Sequence, residues 1–165
     1  MAHADIDPTA PPRRRIGAVV LVQDPAGRIL LVKPTYKPGW QLPGGGAHAG
    51  EPVAEAAERE LAQETSLRLR ISHFLALDQI PANPTTGTAE GFNIVCDGGT
   101  LTRSHADTAT IPEPARTELE DLHWIPLGQL GEYARPYQER RIRAALHAQQ
   151  RRESLPLLHH GTPIL

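Results

Sequence analysis

The chain has 165 residues, long enough for one domain with a sizeable core, and its 16 prolines and 14 glycines imply many turns. A formal net charge of −2 provides no global basic field, so nucleic acid is not an expected partner and a small molecule is. The single Cys96 excludes an internal disulfide, and no apolar run approaches the ~18 residues that cross a membrane, so no membrane partner is expected and a cytoplasmic location follows by default.

Residues 1–14 mix acids, prolines and the start of the Arg13-Arg14-Arg15 run without the apolar core of a signal peptide. They are expected to form a disordered arm ahead of a domain over residues 15–152, with a C-terminal tail over 153–165. Ile16 to Val22 is rich in β-branched residues, and after Asp24-Pro-Ala-Gly-Arg28 the run Ile29 to Val32 reads as its hairpin partner. The polar loop Pro34-Thr-Tyr-Lys-Pro38 follows, and it should leave Tyr36 exposed.

After Trp40-Gln-Leu-Pro comes Gly44-Gly45-Gly46, a loop able to take positive φ and to bring backbone close to a ligand. A helix is expected from near Pro52 to about Thr65, with Glu51 and Pro52 suited to its first turn. At ~100° per residue Glu60, Gln63 and Glu64 share one edge, beside an apolar stripe of Ala54, Ala57 and Leu61 that would pack on a sheet. Crowded carboxylates repel unless a cation sits among them, and hard divalent ions prefer such oxygen ligands.

Leu67 to Ile71 alternates apolar with basic residues, and Phe74 to Ile80 and Glu90 to Cys96 are strand candidates separated by the loop Pro81 to Gly87. Asp97 to Arg116 is polar and turn-prone, a variable surface loop or a flap near the ligand. Glu118 to Leu130 leads through a short strand at Trp124 into a turn. From Pro136 to about Arg152, Ile142, Ala145 and Leu146 stand at helical spacing, so an amphipathic helix should cover the sheet. The remaining tail should be peripheral. None of the eight histidines has zinc-ligand spacing, and Cys96 carries no mark of an activated nucleophile.

The segment Gly45 to Leu67 resembles the Nudix box, G-x5-E-x7-R-E-U-x-E-E-x-G-U with U apolar. Gly45, Glu51, Arg59, Glu60, Leu61, Glu64 and Leu67 stand in register, whereas Gln63 replaces a glutamate and Ser66 the late glycine. So many matches at these offsets do not arise from composition. The late region around Trp124 is also similar to Nudix domains.

The resemblance to Nudix hydrolases implies an α/β/α sandwich, with a mixed sheet between the box helix and the C-terminal helix. It further implies hydrolysis of a diphosphate bond in a nucleoside diphosphate linked to another moiety. Glu60 and Glu64 would ligate Mg²⁺ or Mn²⁺ with Gln63 beside them, Arg59 would orient the acids, and Glu51 would support. An acid from outside the helix would act as base or extra ligand, with Glu118 ahead of Glu113 and Glu120. Gly44, Gly45, Gly46, Tyr36 and Lys33 would bind substrate, with Lys37 and Arg28 as further phosphate clamps and His48 as a possible contact. A homodimer is a fair expectation from relatives. Because Gln63 brings no charge, a catalytically weakened nucleotide-sensing or regulatory module is the alternative.

Overall fold

Side chains of the first strand alternate between two apolar layers, and this sets the architecture. The computed structural model describes residues 9–165. In β1 (Arg15–Gln23), Ala18, Val20 and Val22 join Leu30, Cys96 and the stripe Ala54, Ala57 and Leu61 of α1 (Val53–Thr65). Leu21 faces the other way, joining Leu31, Val95 and Ile142, Ala145 and Leu146 of α4 (Pro136–Gln150). Both faces are covered, which is why β1 reads as a continuous apolar run. The result is the expected α/β/α sandwich, with the sheet between the box helix and the C-terminal helix.

The remaining strands are β2 (Ile29–Pro34), β3 (Gly44–Gly46), β4 (His73–Ile80), β5 (Gly91–Thr100), β6 (Leu119–Ile125) and β7 (Leu155–Pro156). The sheet order is β6-β2-β1-β5-β4-β7, with β3 also paired to β1. β1 runs parallel to β5 and the other pairings are antiparallel, so the sheet is mixed.

The expected β1–β2 hairpin holds only at its turn, where Gln23 pairs with Ile29. Beyond it the strands part, and the segment before the box enters the gap. Gln41 exchanges backbone hydrogen bonds with Val32, while Gly44 to Gly46 pair with β1 from Val19 to Gly17. Gly44 has φ 142°, and a Cβ there would sit 2.5 Å from the Val19 Cα, so only glycine allows this approach.

The Asp97–Arg116 stretch is neither a plain loop nor a free flap. β5 continues to Thr100, α2 (Arg103–Ala106) and a 3₁₀ turn over Glu113–Thr117 follow, and buried Leu101, Ala106 and Ile111 anchor the segment. Its polarity is that of the outward face alone. The tail is likewise more than peripheral, because Leu155–Pro156 adds an edge strand to β4, Leu157 is buried and Ile164 packs on the α1-side core. A small hairpin of β8 (Leu158–His159) and β9 (Thr162–Pro163) closes the chain after α3 (Leu130–Tyr133) and α4. Of the expected N-terminal arm, residues 1–8 lie outside the described residues, and 9–14 are exposed without helix or strand. Among the described residues no helix is long and apolar enough to cross a membrane.

Candidate active site

The apolar stripe of α1 fixes its rotation on the sheet, and the acids emerge along the edge that faces β3. Glu64 lies deepest. Its Oε2 accepts the Gly44 N–H at 2.8 Å. One turn earlier, Glu60 occupies the space that a side chain on Gly45 would fill, since a Cβ there would lie 2.6 Å from the Glu60 carboxyl carbon. The glycines thus have different duties. Gly44 approaches β1, Gly45 makes room for an acid, and Gly46 supplies a carbonyl to Arg59.

Arg59 joins these groups. Its Nε and Nη2 grip Glu51 at 2.7 and 2.9 Å, Nη1 donates to Glu60 Oε1 at 2.7 Å and to Gln63 Oε1 at 3.2 Å, and Nη2 also reaches the Gly46 carbonyl at 3.1 Å. Two parallel charge-assisted bonds make the Glu51 pair directional. The Arg59 bonds, then the His48 N–H at 2.8 Å, hold the Glu51 carboxyl down at about 2. Glu51 therefore does not serve the first turn of the helix as expected. It stands ahead of α1, pinning the glycine loop to Arg59.

Glu64 shows the opposite perturbation. Burial pushes its carboxyl up to about 8 despite the Gly44 N–H, and the negative charges of Glu60 and Glu118 push in the same direction. Without a cation nearby, Glu64 holds a proton at neutral pH. Among the described residues nothing donates a hydrogen bond to Glu60 Oε2 or Glu64 Oε1, whereas the Gln63 Oε1 already accepts from Arg59. No three His, Cys, Asp or Glu side chains converge as a metal-ligand group among the described residues. All the available donors are oxygens, and an acid driven toward neutrality by burial and by neighbouring carboxylates is a group that a divalent cation relieves, so these residues fit a hard ion such as Mg²⁺.

Two cavities flank this arrangement. One, of about 860 Å³, is lined by Arg59, Glu60, Gln63, Glu64 and Glu118. The other, of about 920 Å³, is bordered by Gly44 and Gly45 and lined by Tyr36, Lys37, Arg15 and Arg141. Of the three acids considered outside the helix, only Glu118 enters the acid cavity. Glu113 pairs with Arg116 and Glu120 with Lys33. That 2.7 Å pair holds Lys33 away from both cavities, and Arg28 is bound to buried Asp24. Lys37 is the lysine placed beside the cleft. Burial lowers its affinity for a proton, as do Arg141 and Arg15. Tyr36 is 69% exposed at the rim. His48 is exposed, with its ring in neither cavity. Burial pushes the Cys96 thiol up to about 12, which makes it a poor nucleophile.

Sequence reasoning missed Arg15, Asp78, Asn93, Gln138 and Arg141, which line the second cavity. They come from β1, β4, β5 and α4, and no local spacing connects them.

A family model of the NUDIX domain matches residues 13–148, spanning the glycine strand, the acid helix and most of α4. The chain belongs to this family. It is 30% identical over 131 residues to a Bacillus subtilis (strain 168) protein named "Putative 8-oxo-dGTP diphosphatase", covering 76% of each chain. In fold it is similar to the MutT protein from Methanosarcina mazei Go1, with TM-score 0.65 at 19% identity over 85% of this chain and 96% of that one. It is also similar to the NUDIX domain of Shewanella oneidensis NrtR in complex with ADP ribose, with TM-score 0.67 at 16% identity over 90% and 99%. NUDIX hydrolases are pyrophosphohydrolases that generally use divalent metal ions and act on nucleotide-type substrates.

Proposed function

We propose that this NUDIX chain hydrolyses a diphosphate bond in a nucleoside diphosphate linked to another group, with Mg²⁺ or Mn²⁺ held by Glu60 and Glu64. The observation that carries this reading is that half-buried Glu64, tied to the Gly44 N–H, shares one cavity with Glu60 and Glu118, beside a glycine strand that borders a second cavity lined by Arg15, Lys37 and Arg141. A bound cation would offset charge developing on the phosphoryl oxygens and ease deprotonation of the attacking water.

The chain's own residues supply the rest. The Gly44 N–H fixes Glu64, and Arg59 fixes Glu60 against Glu51. Gln63 acts as a further acceptor for Arg59 and stands at the margin of the ligand set. Glu118, exposed at the end of the 3₁₀ turn, is placed to accept the proton of water. Lys37, at the Gly44–Gly45 border, clamps the phosphates, and Tyr36 meets the non-phosphate part of the substrate. Water oxygen joins one phosphorus as the bridging P–O bond breaks, leaving two phosphorylated fragments.

Gln63 favours a second reading, a nucleotide-sensing module, because its amide is spent on Arg59 and adds no charge to the acid cluster. The deciding experiment is mass-spectrometric product analysis of nucleoside triphosphates, dinucleotides and nucleotide sugars, with and without Mg²⁺, for wild type beside Glu64→Gln. Cleavage at a diphosphate linkage that needs both metal and Glu64 is the expected result. Binding without turnover by the wild type would establish the sensor instead.

A further inference from the structure

Glycines clear the floor of the larger cavity around one arginine. Arg15, Gly17 and Val19 face α4 from β1, and the register sets Gly91 of β5 beside Arg15 and Asn93 beside Gly17, with Asp78 of β4 beyond Asn93. A Cβ on Gly17 would run into Asn93 Oδ1 and lie 3.2 Å from Arg15 Nη1, and one on Gly91 would run into the Arg15 carbonyl. In the space so left, Arg15 Nη1 donates to Asn93 Oδ1 at 3.3 Å. That neutral amide is the one side-chain partner of the guanidinium among the described residues. Glu90, whose carbonyl takes the Arg15 N–H, gives its carboxylate to Arg14 at 3.1 Å instead. Arg15 is half-buried, and its remaining N–H groups stay open to a ligand.

Charge around it is unbalanced. Arg15, Lys37 and Arg141 line the cavity against one carboxylate, Asp78, which Arg141 Nε already engages at 2.7 Å. After burial, the charges of Arg141 and Arg15 weaken the hold of Lys37 on its proton, with Glu64 opposing them. Cations gathered on one wall are relieved by an anion, as the acids of α1 are by a cation. Three cations against one acid leave a surplus of two positive charges. A phosphomonoester, with about two negative charges at neutral pH, matches that surplus where a carboxylate matches half. This anion is not the scissile diphosphate. Lys37 is the cation at the Gly44–Gly45 border, whereas the Arg15 guanidinium reaches toward β5, on the side of β1 away from the glycine strand. At roughly 3.3 Å per residue, Val19, the partner of Gly44, stands about 13 Å along β1 from Arg15. We propose that Arg15 binds a second phosphate of the substrate, a phosphomonoester carried apart from the scissile diphosphate, with Asn93 orienting the guanidinium. The planar fork takes two phosphate oxygens at once. The inference rests on the hydrolase reading, since it names the substrate class of that same site.

Compounds without a diphosphate to cleave test it apart from turnover. Titration calorimetry of the full chain in Mg²⁺ compares AMP, GMP and UMP with their 3′,5′-bisphosphates, AMP with its 2′,5′-bisphosphate, and glucose 1-phosphate with glucose 1,6-bisphosphate. At least one bisphosphate should bind roughly tenfold or more tighter than its parent. A nucleotide pair showing this places the second phosphate on the ribose, and the sugar pair places it on the linked group. Arg15→Gln should cut that ratio by about threefold or more. Should that variant not fold, Arg15→Lys keeps the charge but loses the fork, and should also lower the ratio. Every ratio falling short of about tenfold, no binding of any compound at millimolar concentration, or an unchanged ratio in a folded Arg15 variant would overturn the proposal. Hydrolysis of nucleoside triphosphates, dinucleotides and nucleotide sugars is followed in parallel. Turnover without a bisphosphate preference overturns this inference and leaves the hydrolase standing; the preference without turnover supports the phosphate site and removes the hydrolase.

Discussion

The Gly44 N–H donates to Glu64 Oε2 at 2.8 Å, and this bond ties the acid-bearing helix to the strand that borders the larger cavity. Any shift of α1 along the sheet must move or break it. The depth of Glu64 and the position of the glycine strand are therefore one structural fact.

The raised carboxyl of Glu64 has a definite sign for stability. Its folded value of about 8 lies above the ordinary 4.5, so the folded state binds the proton more tightly than the unfolded chain. Metal-free protein should lose stability as pH rises from about 4.5 to about 8 and level off above. Urea unfolding in chelator at several pH values should show this, with a change of roughly a few kcal/mol. Glu64→Gln should flatten the profile and abolish turnover. Mg²⁺ should restore the wild type at high pH and leave the variant unchanged.

Arg59→Lys should lower kcat by about a hundredfold or more, because one ammonium cannot hold Glu51, Glu60, Gln63 and the Gly46 carbonyl together. Unfolding should show only a modest loss of stability, because the freed acceptors are half-buried or exposed and water replaces part of what Arg59 gave. Steady-state kinetics beside urea titration checks both, and an unchanged kcat would remove Arg59 from the site.

Gln63→Glu places a third carboxylate beside Glu60 and Glu64. The metal concentration for half-maximal rate should fall by about tenfold, the added charge strengthening a site built from oxygens. The Mg²⁺ dependence of initial rate measures it. A rise instead would place the ion away from this helix edge.

Glu118→Gln should lower kcat by about a hundredfold while leaving the half-saturating Mg²⁺ within about threefold, as expected of a proton acceptor. Glu120→Gln is the control, because its partner is Lys33 outside both cavities. Equal loss of rate and metal binding in Glu118→Gln would make Glu118 a ligand instead.

What could be read from the sequence was local. The acid edge and apolar stripe of α1 repeat within a few turns, and the Gly44–Glu64 bond spans 20 residues, so spacing alone brought these groups to one place. Lys33 and Lys37 looked equivalent, and only the β2–β6 register, which sets Lys33 opposite Asp121 and beside Glu120, separates them. The Asp97–Arg116 segment read as a loop because three buried side chains cannot outweigh so many polar ones in composition. Ser66 stands where the box has its late glycine. It does take φ 63°, and its Oγ donates to the Thr110 carbonyl at 3.0 Å, a tie between α1 and that segment which a glycine would lack. The second cavity was illegible because its walls meet only through sheet pairing and the packing of α4 on the sheet, Arg15 reaching Asn93 across 78 residues and Arg141 reaching Asp78 across 63.

That difference in span has a consequence for the order in which the molecule comes apart. Closing a long loop is entropically costlier than closing a short one, and α4 is held to the sheet largely by one apolar stripe, the Arg141–Asp78 pair and the Gln149–Asp97 hydrogen bond. Peeling α4 opens the wall carrying Gln138 and Arg141, while the Gly44–Glu64 and Arg59–Glu51 ties remain closed on the other side of the sheet. The α4 wall is thus the fragile half of this protein and the glycine strand with its acid helix the durable half, so a partly unfolded population would lose the larger cavity's wall while the acid cluster stayed assembled.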